Sequence, residues 1–340
     1  MTRRSMSLNY SPFLLRPAGK DYLWGGSRLK DEFSKELDMT PLAETWECST
    51  HPDGTSSVAS GKFKGRLLSE VLSEHPELLG SNIKIDPSKK FNGELPILIK
   101  LIDAKKDLSV QVHPDDEYAK RNENGSLGKT EMWYVVDAVK DSKLVYGFYH
   151  DMEKETLDES LKKGTVEKYL RKVSIHKDDV FYIEAGTVHA IGAGSLIAEI
   201  QENSNLTYRM YDYNRIDKDG SKRPLHIEKA LDVVNLKSNA EPRQPMRVLQ
   251  YKRGIATEFL CRCKYFQVER VLLNTERTRN MAKYQTNQNS FQVLLCLDGC
   301  GVCFDESNSM NFFKGDCIFV PANSKPLKLH GKAQLLKVSC

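Results

Sequence analysis

The 340-residue chain has no apolar run long enough to cross a membrane. Its longest, Leu95-Pro-Ile-Leu-Ile-Lys-Leu-Ile102, already contains Lys100, whereas a spanning helix needs roughly 20 apolar residues. Blocks of single-sign charge are also missing. The 50 basic and 46 acidic residues are interspersed and leave +4, so no electrostatic footprint for nucleic acid exists, and a small anionic substrate fits better. The start, MTRRSMSLNYSPFLLRPAGK, lacks the apolar stretch of a signal peptide, which makes a cytoplasmic protein the expectation. Cysteine is nearly absent before residue 260: only Cys48 precedes Cys261, Cys263, Cys296, Cys300, Cys303, Cys317 and Cys340. Their apolar, strand-like surroundings read as buried free thiols. Cys300-Gly-Val-Cys303 has zinc-ribbon spacing that Cys261-x-Cys263 could complete. However, the pair directly follows a Leu-Asp-Gly hairpin signal and reads as strand.

What is present is β character. LPILIKLI, DLSVQVH, EMWYVVDA, KLVYGFY, DDVFYIEAG, SLIAEIQE, YFQVERVLL, SFQVLLCLDG, GVCFDE, DCIFVPAN and AQLLKVS predict many short strands, hence a sandwich or barrel. Helical patterns interrupt them at about 66–80, 151–173 and 224–236, and in PDDEYAKRNENG; Pro224 sits at a first-turn position. The polar stretch 235–245 reads as a linker. On its two sides DDVFYIEAGTVHAIG parallels GDCIFVPANSKPLKLHG, and EMWYVVD parallels QVLLCLD, with Glu131 opposite Gln292. The expectation is two copies of one β-barrel module, residues 1–236 and 246–340. The second has Pro326 where the first has His189, so only the first retains polar ligand types.

In LSVQVHPDD, Gln111 and His113 are two apart on a strand and share a face, with Val110 and Val112 on the other. Two donors are half a metal site. Glu131 opening the next strand and His189 after the Ala185-Gly186-Thr187 turn are candidates to complete it. Two imidazoles, one carboxylate and one amide leave a divalent ion net positive, able to polarise a substrate oxygen. Singly, each has a plainer reading: a bonded core histidine, a surface carboxylate, a capping residue. Gly125-Ser-Leu-Gly-Lys-Thr-Glu131 resembles a phosphate loop, but Glu123 stands where its first glycine belongs and a strand follows, which excludes nucleotide binding there. Lys129 remains as a cation two residues from Glu131. Further on, Glu199 shares a strand face with Ile197 and Gln201, and Arg209 and Arg215 are co-facial if their stretch is extended. Such arginines bind phosphate or stabilise charge developing on substrate oxygens.

Lys100, Ser109-Val-Gln-Val-His-Pro-Asp115, Gly128-Lys-Thr-Glu131, Ala185-Gly-Thr-Val-His-Ala190 and Arg209 together resemble the type I mannose-6-phosphate isomerases, in their shorter bacterial branch. Tyr22-Leu-Trp-Gly-Gly26 and Ala43-Glu-Thr-Trp46 extend the match. Glu184, in place of a usual proline, and Lys177-Asp178, in place of Gly-Asp, depart from it. The resemblance implies a mainly β fold of two cupin-type jelly-roll barrels with helical insertions, the second barrel without a metal site. It implies one zinc ion held by Gln111, His113, Glu131 and His189, and interconversion of mannose 6-phosphate and fructose 6-phosphate. It also implies catalytic parts for Arg209, Glu199 and Lys129, and places Ser109, Lys100 and Arg215 at the phosphate end. No nucleic acid, membrane or obligate protein partner is expected. The alternatives are a catalytically idle sugar-phosphate-binding cupin and a two-cupin dioxygenase. Gln111 in place of the first histidine of an H-x-H pair argues against the latter.

Overall fold

Period-two alternation decides where each strand of the site-bearing unit turns its side chains. Odd positions of Glu131–Ala138 and Ser195–Glu202 and even positions of Ile97–Ala104 face one way. In this computed structural model, which describes residues 10–340 except 86, 87, 89, 218–219, 239–241, 244–246 and 278–279, the protein is mainly β with few helices. Two units emerge. One comprises residues 19–46 and 97–246, the other residues up to Ala18 together with 47–96 and 247–340.

The first unit contains two sheets, two of whose strands run past its bounds at Ala18 and at Glu47–Cys48. A six-stranded sheet runs in the order Val180–Ile183, Glu131–Ala138, Ser195–Glu202, Ile97–Ala104, Glu44–Cys48, Ala18–Lys20. A five-stranded sheet runs Tyr208–Tyr211, Val110–Val112, His189–Ile191, Lys143–Phe148, Leu170–Ser174. Ile102, Trp133, Val135, Phe181 and Ile197 of one sheet and Leu144, Tyr146, Val173 and Ile191 of the other join a single buried cluster, so the core lies between the two faces. The opposite face of the five-stranded sheet, through Val110, Val112, Val145 and Ala190, packs on Leu157 and Leu161 of the helix Lys154–Lys162 and Ala230 of the helix Ile227–Val233. At roughly 25 cal/mol per Å² of apolar surface, those two helices stabilise the sheet by covering what would otherwise be an exposed Val-rich face.

The second unit is a ten-stranded sheet that includes Gln267–Asn274, Leu327–Ser339, Gln292–Phe304, Cys317–Val320, Phe13–Arg16 and Ser57–Val58. Here the expected boundary of the first domain, 1–236, is corrected. Phe13–Arg16 pairs antiparallel with Cys317–Val320, Phe13 opposite Phe319, and on its other edge with Ser57–Val58. A four-residue strand finds its hydrogen bonds where a partner edge is open, which local sequence does not report. The proposed linker 235–245 lies partly outside the described residues.

Other local expectations shift. The Leu297-Asp298-Gly299 hairpin signal is not a turn: a 13-residue strand runs through it, with a register shift between Cys296 and Asp298 that skips Leu297, while Gly299 pairs with Ala333. Region 151–173 ends its helix at Lys162, and Leu170–Ser174 is a strand pairing with Lys143–Phe148. The region 66–80 is the helix Leu68–Glu74 and a short 3₁₀ turn. Pro224 precedes rather than opens its helix, which starts at Ile227. All eight cysteines are free; five are buried, and Cys300 is exposed rather than buried. Among the described residues no helix is long and apolar enough to cross a membrane.

Candidate active site

The five-stranded sheet brings the paired donors together by register. His189 lies opposite Gln111, and Arg209 opposite Gln111 on its other side. His113 follows one residue beyond the strand end, and its carbonyl accepts from the Gly186 N–H at 2.9 Å. That bond fastens the turn 184–187 to the strand bearing Gln111. Gly186 is needed there: its φ is +88°, and a Cβ would meet the Val233 carbonyl at 2.9 Å. Glu184 leaves the turn intact, since its carbonyl accepts from Thr187 N–H at 3.0 Å.

Facing these from the six-stranded sheet is Glu131, fully buried. His113 Nε2 and His189 Nε2 are 3.1 Å apart, and the Gln111 amide end is 3.3 Å from His189 Nε2. The Glu131 oxygens lie 3.6 Å from His113 Nε2 and 3.4 Å from His189 Nε2. The carboxylate has no well-formed hydrogen bond on either oxygen, although Lys129 Nζ is 3.3 Å from Oε2. Among the described residues, His113, Glu131 and His189 form the cluster able to hold a metal ion, and no cysteine belongs to it.

The electrostatics of this centre point the same way. His189 Nδ1 is 2.8 Å from the Thr187 carbonyl, an acceptor that requires the proton on Nδ1 and leaves Nε2 a free lone pair. Burial pushes the His189 pKa down to about 4, the Thr187 bond resisting. Burial and then Lys129 push His113 well below its usual value. Burial, with Glu199 adding to it, raises Glu131 to about 7 against the pull of Lys129 and Lys100. Two neutral imidazoles aimed at each other and a buried carboxylate without hydrogen bonds are costly alone. A divalent cation at their meeting point answers all three groups, so the residues present fit a metal.

Beside this centre is a cavity of about 270 Å³ lined by Gln111, Ser109, Lys100, Lys129, Glu199 and Arg209, among others. Lys100 and Glu199 are opposite one another across the sheet, and Lys100 Nζ donates to Glu199 Oε1 at 3.0 Å. Trp133 Nε1 donates to Glu199 Oε2 at 2.9 Å. Burial alone would raise Glu199, but Lys100 and Lys129 override it and hold the carboxyl well below its usual range. The same contacts hold Lys100 above its ordinary value despite burial. Replacing Lys100 with methionine should therefore leave Glu199 as a buried charge short of its partner. The expected loss is about 3–5 kcal/mol of stability, read from the denaturation midpoint; a loss below about 1 kcal/mol, the level of an exposed ion pair, would mean the pair is solvated.

Arg215 is not brought into this cavity. The strand ends at Tyr211, and Tyr213 and Asn214 both take φ of +54°, so the chain turns and Arg215 instead bonds Asp212 and the Asp107 carbonyl. The cation found in its place is Arg223, which lines the cavity while bonding Asp212 at 2.9 and 2.6 Å. It comes from an irregular stretch with no periodicity to reveal it. Glu44, also lining the cavity, accepts from Trp46 Nε1 at 2.8 Å. Its signal was the Ala43-Glu-Thr-Trp46 motif.

Fold and site thus define a mainly β protein with a buried imidazole–carboxylate centre beside a cation-lined cavity. Residues 13–134 match the model of the type I phosphomannose isomerase catalytic domain, and 255–340 that of the mannose-6-phosphate isomerase cupin domain. The chain is 36% identical over 326 residues to the mannose-6-phosphate isomerase ManA of Bacillus subtilis, covering 96% of this chain and 98% of that one. It is 39% identical over 257 residues to the mannose-6-phosphate isomerase of Streptococcus mutans, covering 76% and 77%. A crystal structure of the mannose 6-phosphate isomerase from Bacillus subtilis matches with a TM-score of 0.87 at 34% identity, over 97% of this chain and 100% of that one. The chain belongs to the type I phosphomannose isomerase family, and is an enzyme of that family.

Proposed function

We propose that the protein is a metal-dependent aldose–ketose isomerase that interconverts mannose 6-phosphate and fructose 6-phosphate through an enediol, on two cupin-type jelly-roll modules of which only the first binds metal. The observation that carries this reading is the buried convergence of His113, Glu131 and His189 with Gln111 at a cavity lined by cations. Gln111, His113, Glu131 and His189 would hold one zinc ion, which when bound supplies a Lewis acid for a substrate oxygen.

The chain's own residues do the rest. Moving a proton between adjacent carbons builds negative charge on two oxygens, and Arg209 and Lys129 are the cations set to stabilise it. Lys129 is held in register because its backbone N–H donates to the Pro114 carbonyl at 3.0 Å and that of Thr130 donates to Glu202 Oε1 at 2.7 Å. Ser109 Oγ, 3.3 Å from Arg209 Nε, and Arg223 mark the phosphate end. Glu199 carries the proton: it is kept ionised, as a base must be, and substrate entry has to take over one of its two donors. Lys100, committed to Glu199, acts by setting that charge rather than by meeting phosphate.

A coupled assay tests the proposal. Purified protein given mannose 6-phosphate should form fructose 6-phosphate, lose that activity on chelation and regain it with zinc. Metal-loaded protein that binds the sugar phosphate without turnover would indicate an idle cupin, and iron with oxygen uptake a dioxygenase.

A further inference from the structure

Arg209 sits on a strand whose two edges are held by different means. Towards Val110–Val112 the pairing is an antiparallel ladder, Arg209 opposite Gln111, with a register shift between Arg209 and Tyr211. On the other side the contacts come from the irregular segment just before the Ile227–Val233 helix. The His226 backbone N–H donates to the Arg209 carbonyl at 2.8 Å. In return the Arg209 backbone N–H donates not to a carbonyl but to His226 Nδ1, at 3.1 Å. Two residues earlier, the Pro224 carbonyl accepts from Arg209 Nη1 at 2.9 Å. Backbone and guanidinium of one arginine are thus held by one three-residue segment. The His226 carbonyl in turn accepts the Ala230 N–H at 2.9 Å, so the segment is locked to the helix.

We propose that His226 is a positioning residue for Arg209, and that it works only as the neutral imidazole with Nδ1 unprotonated. The inference rests on the reading of Arg209 as the charge-stabilising residue. An imidazolium would set a donor against a donor and place a second cation beside the guanidinium. The groups facing the ring are Arg209 on its strand, Lys229 on its helix, Tyr208 with its ring centroid 6.4 Å away, and Glu123. Glu123 accepts from Lys229 Nζ at 2.6 Å and Tyr208 O–H at 2.7 Å, so its charge is already answered. Burial first, then Arg209 and Lys229, lowers the His226 pKa, with Glu123 opposing. The imidazole therefore stays neutral near pH 7 and charges as pH falls, which also withdraws its contribution to folding on the acid side.

Asparagine and alanine at position 226 separate positioning from mere packing. Asparagine caps a helix well and offers an amide oxygen to the Arg209 N–H but does not titrate. His226→Ala should lower kcat by about 10- to 100-fold, the scale of a misplaced catalytic group, with KM and metal content nearly unchanged. His226→Asn should restore most of kcat and shift or remove the acid limb of the kcat–pH profile. Full kcat in the alanine variant overturns the proposal. So does a folded asparagine variant as impaired as alanine, or an acid limb identical in wild type and asparagine variant. Arg209→Ala, run alongside, separates the two readings: if it is impaired while His226→Ala is not, only the positioning falls; if Arg209→Ala is fully active, the reading of Arg209 falls first.

Discussion

His113→Ala is expected to lose metal and turnover together. His113 Nε2 sits 3.1 Å from His189 Nε2 and 3.6 Å from Glu131 Oε2, so it supplies one corner of the centre, and the turn of His189 hangs on its backbone carbonyl. That second link survives in alanine, so the change removes a ligand without unfastening the turn. Loss of a group that merely supports a ligand already weakens metal binding by about 10- to 100-fold; loss of a ligand should exceed that. Metal content after gel filtration, set beside the assay, reads the result. A variant that keeps one ion per chain and full activity would remove His113 from the ligand set. One that keeps the ion but not the activity would give it a part other than holding metal.

Arg209→Ala is the complementary case: the metal should stay and the rate should go. The guanidinium is half-buried and fixed by Pro224 and Ser109. Burial lowers its pKa, with Arg223 adding to the effect, yet a guanidinium stays charged at neutral pH. Loss of one preorganised donor aimed at developing charge typically costs a factor of about 10² to 10³ in kcat. A selective fall in kcat with little change in KM would mark a group felt in the transition state. A raised KM at unchanged kcat would move Arg209 to substrate binding alone.

What the sequence revealed here follows from what is local. Gln111 and His113 were legible because a strand's period of two is a short-range property, and Glu131–Ala138, dense in aromatic and β-branched residues, and Ser195–Glu202, with its alternating Ile197 and Glu199 face, match their predicted limits. Arg215 failed for the same reason in reverse: extrapolating a strand past Tyr211 ignored a pair of left-handed residues with no glycine to announce them. Arg223, on an irregular segment, and the pairing of Phe13 with Phe319 depend on contacts between distant parts of the chain. The Leu297-Asp-Gly299 signal misled because a turn-forming dipeptide is equally able to serve as a kink inside one long strand.

The interleaved units have a consequence for synthesis on the ribosome. The strand Phe13–Arg16 is made long before its partner Cys317–Val320. The sheet built on them cannot close until Cys317–Val320 has emerged, and closing so long a loop is slow. By contrast Gln111, His113, Glu131, His189 and Arg209 all lie in the continuous stretch 97–246. That stretch can bring its imidazole–carboxylate cluster together before the later strands are made, leaving the strand Phe13–Arg16 as an open edge that waits for its neighbour.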